Sequence, residues 1–246
     1  LTVIIFFYNL DRISFTPKEE NYENYHDYFI QKVKCEQRKS NLNIDTVNAS
    51  LVFDISQYLK VFDNLSLENG WILDCFYFYN GDAGKPIFFA RRNMQNRDSL
   101  IKSFENRAIY NYTDSIDILD HIKINNSEKG FYQFLIFTVI GDEFAKFAHS
   151  NYGNTEIICS KRALKDIINR NDAFHDFDSQ LKKKIEKIDY RTKYNEYKDS
   201  VTFRFVTFNA WYGFAENKVS IRKEFPHKLK LFNDSLLIEY NCGIRF

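Results

Sequence analysis

Asp142, Glu143, His149 and Cys159 supply the side chains from which a hydrolytic centre can be built. An imidazole that removes a proton from a thiol creates a thiolate nucleophile, and a carboxylate behind the imidazole fixes its orientation. The three polar members fall within Gly141 to Tyr152, directly after an apolar run, where strand ends often present ligand-contacting groups. Nothing in the spacing forces His149 onto Cys159. The competing reading makes 143–149 helical, with Asp142 as its cap, Glu143 and Lys146 paired one turn apart, and Cys159 a buried structural thiol.

A second imidazole, in His175-Asp176-Phe177-Asp178, has two carboxylates close by in sequence. Such a group can bind a divalent ion or activate water, but Asp176 or Asp178 serves more simply as a helix N-cap. None of the histidines belongs to a HExxH pattern, and the cysteines at 35, 75, 159 and 242 lack the close spacing of a zinc knuckle or redox pair. Neither GxxxxGK[ST] nor GxGxxG is present, and Gly81-Asp82-Ala83-Gly84-Lys85 reads as a turn. No metal and no cofactor is implied.

Binding chemistry has more to draw on than catalysis. Basic residues gather at Arg91, Arg92, Arg97, Lys102 and Arg107, again from Lys182 to Lys193, and again at Lys218, Arg222, Lys223, Lys228 and Lys230. Trp211, Tyr212 and Phe214 offer rings on which a base or a partner side chain could stack, and Trp71 is a further anchor or a core residue. Asp114, Asp117, Asp120 and Glu128 form an acidic counterpart. With 34 Lys and Arg against 33 Asp and Glu, the formal net charge of +1 gives no global field to attract a polyanion. Segregated charge with abundant aromatics fits recognition of a protein partner better than nucleic-acid binding or an enzyme centred on His149.

The compartment is read from weaker signals. Widely spaced cysteines favour free thiols and a cytoplasmic setting, while five Asn-x-Ser/Thr matches in an Asn-rich chain carry little weight for secretion. Leu1 to Leu10 is apolar but too short to span a membrane, so Thr2 to Tyr8 is expected as a first strand. The 25 Phe and 16 Tyr supply ample apolar area for a core, and no metal or disulfide is needed for stability.

The elements that must position these side chains follow from caps and periodicity. Thr16-Pro17-Lys18-Glu19 starts a helix over about 17–38, and Asp54 caps a short one through Phe62. Trp71 to Tyr79 is expected as a strand, paired with 87–91 across a loop of about seven residues. Helices are expected at 98–110, 115–122, 161–170 and through Phe177, Leu181, Ile185 and Ile188. The nearly continuous apolar run Phe131 to Ile140, bounded by Gly130 and Gly141, reads as a central strand covered on both faces. A short strand at 155–159 and later strands at 201–208, 218–222 and 236–240 complete the set, the first two of the later three joined at the Trp211–Phe214 bend.

No repeat or linker divides the chain, Asn195 to Ser200 being the most polar late stretch. The expectation is one α+β domain over 1–246, with an antiparallel or mixed sheet packed by several helices, because helices and strands do not alternate in a regular βαβ series.

Overall fold

The fold was read from a computed structural model, which describes residues 25–39, 56–79, 83–108, 118–141, 143, 146–148, 154–172 and 174–243. Among the described residues helices are mixed with three antiparallel sheets, an α+β fold. In chain order the elements are α1 (Tyr25–Lys39), α2 (Ser56–Leu59), β1 (Leu65–Leu67), β2 (Trp71–Tyr79), β3 (Ala83–Arg92) and α3 (Arg97–Ala108). After a tight helical turn at Ile118–His121 come β4 (Ile122–Ile124), α4 (Glu128–Ile140), β5 (Phe147–Ala148), β6 (Glu156–Ile158), α5 (Lys161–Asn169) and α6 (Ser179–Ile185). The chain then forms β7 (Lys193–Glu196), β8 (Ser200–Asn209), β9 (Gly213–Arg222) and β10 (Leu229–Glu239).

The largest sheet runs β10-β9-β8-β6, with β7 also paired to β8. Side-chain alternation along its central strands sends apolar side chains into one core on each face. Val201, Phe203 and Phe205 on β8, with Val219 and Ile221 on β9, join a cluster formed with α1, α2 and α4. Val206, Phe208 and Phe214 point to the opposite face and pack with Leu164, Ile167 and Ile168 of α5, Phe177, and Ile185 of α6. Each face is thus covered by a different group of helices. Among the described residues no helix is long and apolar enough to cross a membrane.

The apolar run at 131–140 is not a strand. It is the body of α4, a helix buried on nearly every side, in which Phe131, Tyr132, Gln133, Phe134, Leu135 and Ile136 are each 1% exposed or less. A segment apolar all round lacks a stripe to reveal a helical period, so composition alone could not separate a covered strand from a covered helix. The local signals were in the polar residues before it. Asn126 turns the chain with φ +58°, Asn125 Oδ1 accepts from Ser127 N at 3.1 Å, and Ser127 Oγ caps the Gly130 N–H at 3.0 Å. Gly130 has no room for a Cβ against Asn125 and Ile124, which is how the first turn seats on that bend.

Other boundaries shift for nameable reasons. β3 begins at Ala83 rather than 87, because Gly84 and Lys85 pair with Tyr79 and Phe78 and shorten the expected loop. Of the expected helix at 115–122, residues 118–121 form a tight helical turn and Ile122 already belongs to β4, which pairs with β1, while 115–117 lie outside the described residues. The short helix after Asp54 is the single turn α2, and the polar stretch 195–200 closes the β7–β8 hairpin. β9 and β10 extend beyond the segments expected for them. The helices at 98–110 and 161–170 correspond to α3 and α5. The expected strand at 2–8, the first turns of the 17–38 helix and Asp54 lie outside the described residues.

Candidate functional site

The hydrolytic set is distributed between described and undescribed parts of the chain. Asp142 and His149 lie outside the described residues. Glu143 is half-buried just past α4, its N–H donating to Ile140 O at 3.1 Å, and Lys146 Nζ reaches Asn154 Oδ1 at 3.4 Å. Cys159 is 1% exposed and sits with Sγ 3.9 Å from Asp27 Oδ1. Burial, reinforced by the Asp27 carboxylate, pushes its thiol pKa far above the ordinary range, so the sulfur is held as a protonated thiol. Asp27 itself, 2% exposed, meets Arg162 Nη2 at 3.1 Å and thereby ties α1 to α5.

His175 is buried, and its carboxylate partners are not its sequence neighbours. Nδ1 lies 2.6 Å from Asp172 Oδ1, while Nε2 faces Arg170 Nη1 at 2.9 Å and Glu156 Oε1 at 3.5 Å. A guanidinium only donates, so Nε2 accepts and Nδ1–H donates to Asp172. Arg170 also holds Glu156 through both Nη atoms, with Lys34 at 3.8 Å from the same carboxylate. The Nε2 position that a general base would use is therefore occupied by Arg170. The network fastens β6, α5 and the turn before α6, and Asp178 is the residue that caps α6, accepting from Gln180 N and Leu181 N. Among the described residues no three His, Cys, Asp or Glu side chains gather as a metal-holding set.

The arginines proposed for binding are tied into the β2–β3 hairpin. Arg91 Nε and Arg97 Nε both donate to Asp74 Oδ2, at 2.9 and 3.0 Å, and Arg97 Nη2 donates to Cys75 O at 2.7 Å. Arg92 lies over the Trp71 ring, which also stacks closely on His121. In the second basic group Arg191 and Lys193 both meet Asp189, and Arg204 bonds Glu216 beside them. Arg91, Arg97, Arg191 and Lys193 are thus matched within the protein.

The aromatic trio sits at the β8–β9 turn, where Asn209 Oδ1 accepts from Trp211 N at 2.9 Å. Phe214 is fully buried in the second core, so its ring is a packing element rather than a surface anchor. Tyr212 is 44% exposed and Trp211 half-buried. The chain leaving β10 returns to this turn, with Tyr240 N donating to Tyr212 O and Cys242 N to Ala210 O. The exposed tip thus adjoins the end of β10.

Along β10 lies the feature that the reading of the sequence missed. Leu231, Phe232, Leu236 and Leu237 are all exposed, between 40% and 55%, on the last strand of the five-stranded sheet. Among the described residues β9 is the only strand paired with β10. Among the described residues its outer edge therefore has no strand partner for its main-chain groups, which run beside large apolar side chains, the arrangement by which a sheet accepts another strand. The register against β9 slips twice, between Leu231 and Asn233 and between Leu236 and Ile238, so Phe232 and Leu237 sit at bulges. The signal was present as two adjacent apolar pairs, Leu231-Phe232 and Leu236-Leu237, which break the alternation expected of a half-covered strand.

The fold defines the class, an α+β protein with an exposed apolar sheet edge. Comparison with protein-family models, with curated proteins and with solved structures finds no match to this chain.

Proposed function

We propose that this chain is a protein-recognition domain that engages its partner through the open edge of β10. The observation that carries this reading is the exposure of four large apolar side chains along one edge strand. A strand of that character left uncovered is an aggregation hazard, and natural sheets protect such edges with charge, proline or a covering segment. A partner strand would bury the leucines and satisfy the edge main chain together. The half-exposed Trp211–Tyr212 tip beside the end of β10 extends the same surface with the residue types that anchor interfaces.

The test is site-directed photocrosslinking in an extract of the source cells. A benzophenone side chain at position 236 should capture a discrete partner, whereas the same group at Lys183 on α6 should not. Adding Phe232→Lys, with the far-ultraviolet circular dichroism unchanged, should abolish capture at 236. Equal capture from both positions, or capture indifferent to Phe232→Lys, would contradict the reading.

A further inference from the structure

The cations around β10 are not treated alike by the fold. Lys228 is paired with Asp120, Lys223 with Glu196, and Arg222 Nη2 donates to the Pro226 carbonyl at 2.7 Å. Lys218 and Lys230 remain exposed and have no ion-pair partner among the described residues. Both reach over the same ring, with Nζ 5.9 Å and 5.3 Å from the Phe232 centroid. The register explains the convergence. Lys230 stands opposite Ser220, two residues along β9 from Lys218, so the two lysines share one face of the sheet and flank the bulge that pushes Phe232 outward.

Resting on the reading of β10 as a recognition edge, we infer that its occupant is an extended acidic segment of a partner protein. One carboxylate of that segment sits between the Lys218 and Lys230 ammonium groups, and its apolar side chains cover Leu231, Leu236 and Leu237. Two like charges held beside one exposed ring, with no ion-pair partner among the described residues, repel each other, and a carboxylate brought in by a partner relieves that repulsion while gaining charge-assisted hydrogen bonds. The leucines and the edge main chain favour a peptide over a nucleic acid, whose phosphates would use the lysines and leave the apolar side chains wet.

The probe is a short fluorescein-labelled peptide alternating Val and Glu, titrated by anisotropy against the whole chain. Two companions are a Val and Lys version and a Val and Glu version N-methylated at alternate residues. The acidic peptide should bind at least about tenfold more tightly than the basic one, a difference of about 1.4 kcal/mol. The double variant Lys218→Glu, Lys230→Glu should reverse that order, and N-methylation should abolish binding by removing the strand's hydrogen bonds. Equal binding of acidic and basic peptides, both lost on N-methylation, would overturn the acidic partner and leave the edge reading standing. Undiminished binding of the N-methylated peptide would overturn both. Displacement by a single-stranded oligonucleotide, self-association that excludes the peptide, or no binding of the acidic peptide would each overturn the proposed occupant.

Discussion

His227 accepts the main-chain N–H of Ile124 through Nε2 at 3.2 Å, and from Nδ1 it donates to the Arg222 carbonyl at 3.0 Å. One neutral imidazole thus bonds the small β1–β4 sheet to the segment joining β9 and β10. Burial lowers its pKa, because an imidazolium at this place would lose both solvation and its acceptor. His26, on α1 with its ring tilted against that of Tyr132 at a centroid distance of 4.1 Å, is lowered by burial to about 4.

Both histidines bind protons more readily unfolded than folded, so acid favours the unfolded chain. Stability from this source is complete above the ordinary histidine value of about 6.5 and falls as pH drops from there toward 4. Urea midpoints measured across that interval should decline with acidification. His26→Gln should flatten part of the slope, and a wild-type midpoint constant between pH 6.5 and 4.5 would contradict the assignment.

Glu156 titrates in a lower window. Desolvation alone would raise its pKa, but the paired hydrogen bonds from Arg170, with the nearby Lys34 and Arg170 charges, hold the carboxyl well below the usual carboxylate range. Its contribution is present above about pH 4.3, the ordinary glutamate value, and is lost as pH falls through that range toward the depressed value. Glu156→Gln should cost about 1–3 kcal/mol at neutral pH, since it leaves Arg170 and His175 facing an uncharged amide in a half-closed site. Chemical denaturation at pH 7 checks the magnitude, and a neutral effect would show that solvent screens the cluster.

The four cysteines should divide by burial. Cys75 and Cys159 are buried, and Cys35 and Cys242 are half-buried. With the folded protein at pH 7.5, a disulfide-exchange reagent should modify Cys35 and Cys242 first, and Cys159 only at the rate of unfolding. Rapid modification of Cys159, followed by mass spectrometry of the peptide, would restore the thiolate chemistry that its position disfavours.

Gly213 turns the chain at the start of β9 with φ +102°, and a Cβ there would run into the Ile238 carbonyl of β10. Gly213→Ala should therefore destabilise the protein by about 1–3 kcal/mol and loosen the end of β10. Thermal melts report the first effect and amide exchange at 236–239 the second. An unchanged melting temperature would mean that the turn relaxes without strain.

Much of the architecture was legible because caps and turns are local. Asp178 before α6, the strand pattern of Trp71 to Tyr79 and the bend at Trp211–Phe214 needed no tertiary information. α4 was misread because its environment is apolar on all sides, and only the Asn125–Ser127 bend distinguishes it from a covered strand. The ion pairs were illegible for a different reason: Asp74 with Arg97 and Glu156 with His175 are joined by strand pairing and turns, not by sequence neighbourhood. The β10 edge fell between these cases, since its paired leucines were visible but their exposure depends on which strand the sheet ends on.

Hydrogen exchange with and without the partner captured at position 236 tests the recognition edge most directly. The account predicts slowed exchange across 229–239, with β7, a short strand paired to β8, unchanged. Protection concentrated elsewhere, with 229–239 exchanging as in the free protein, would contradict it.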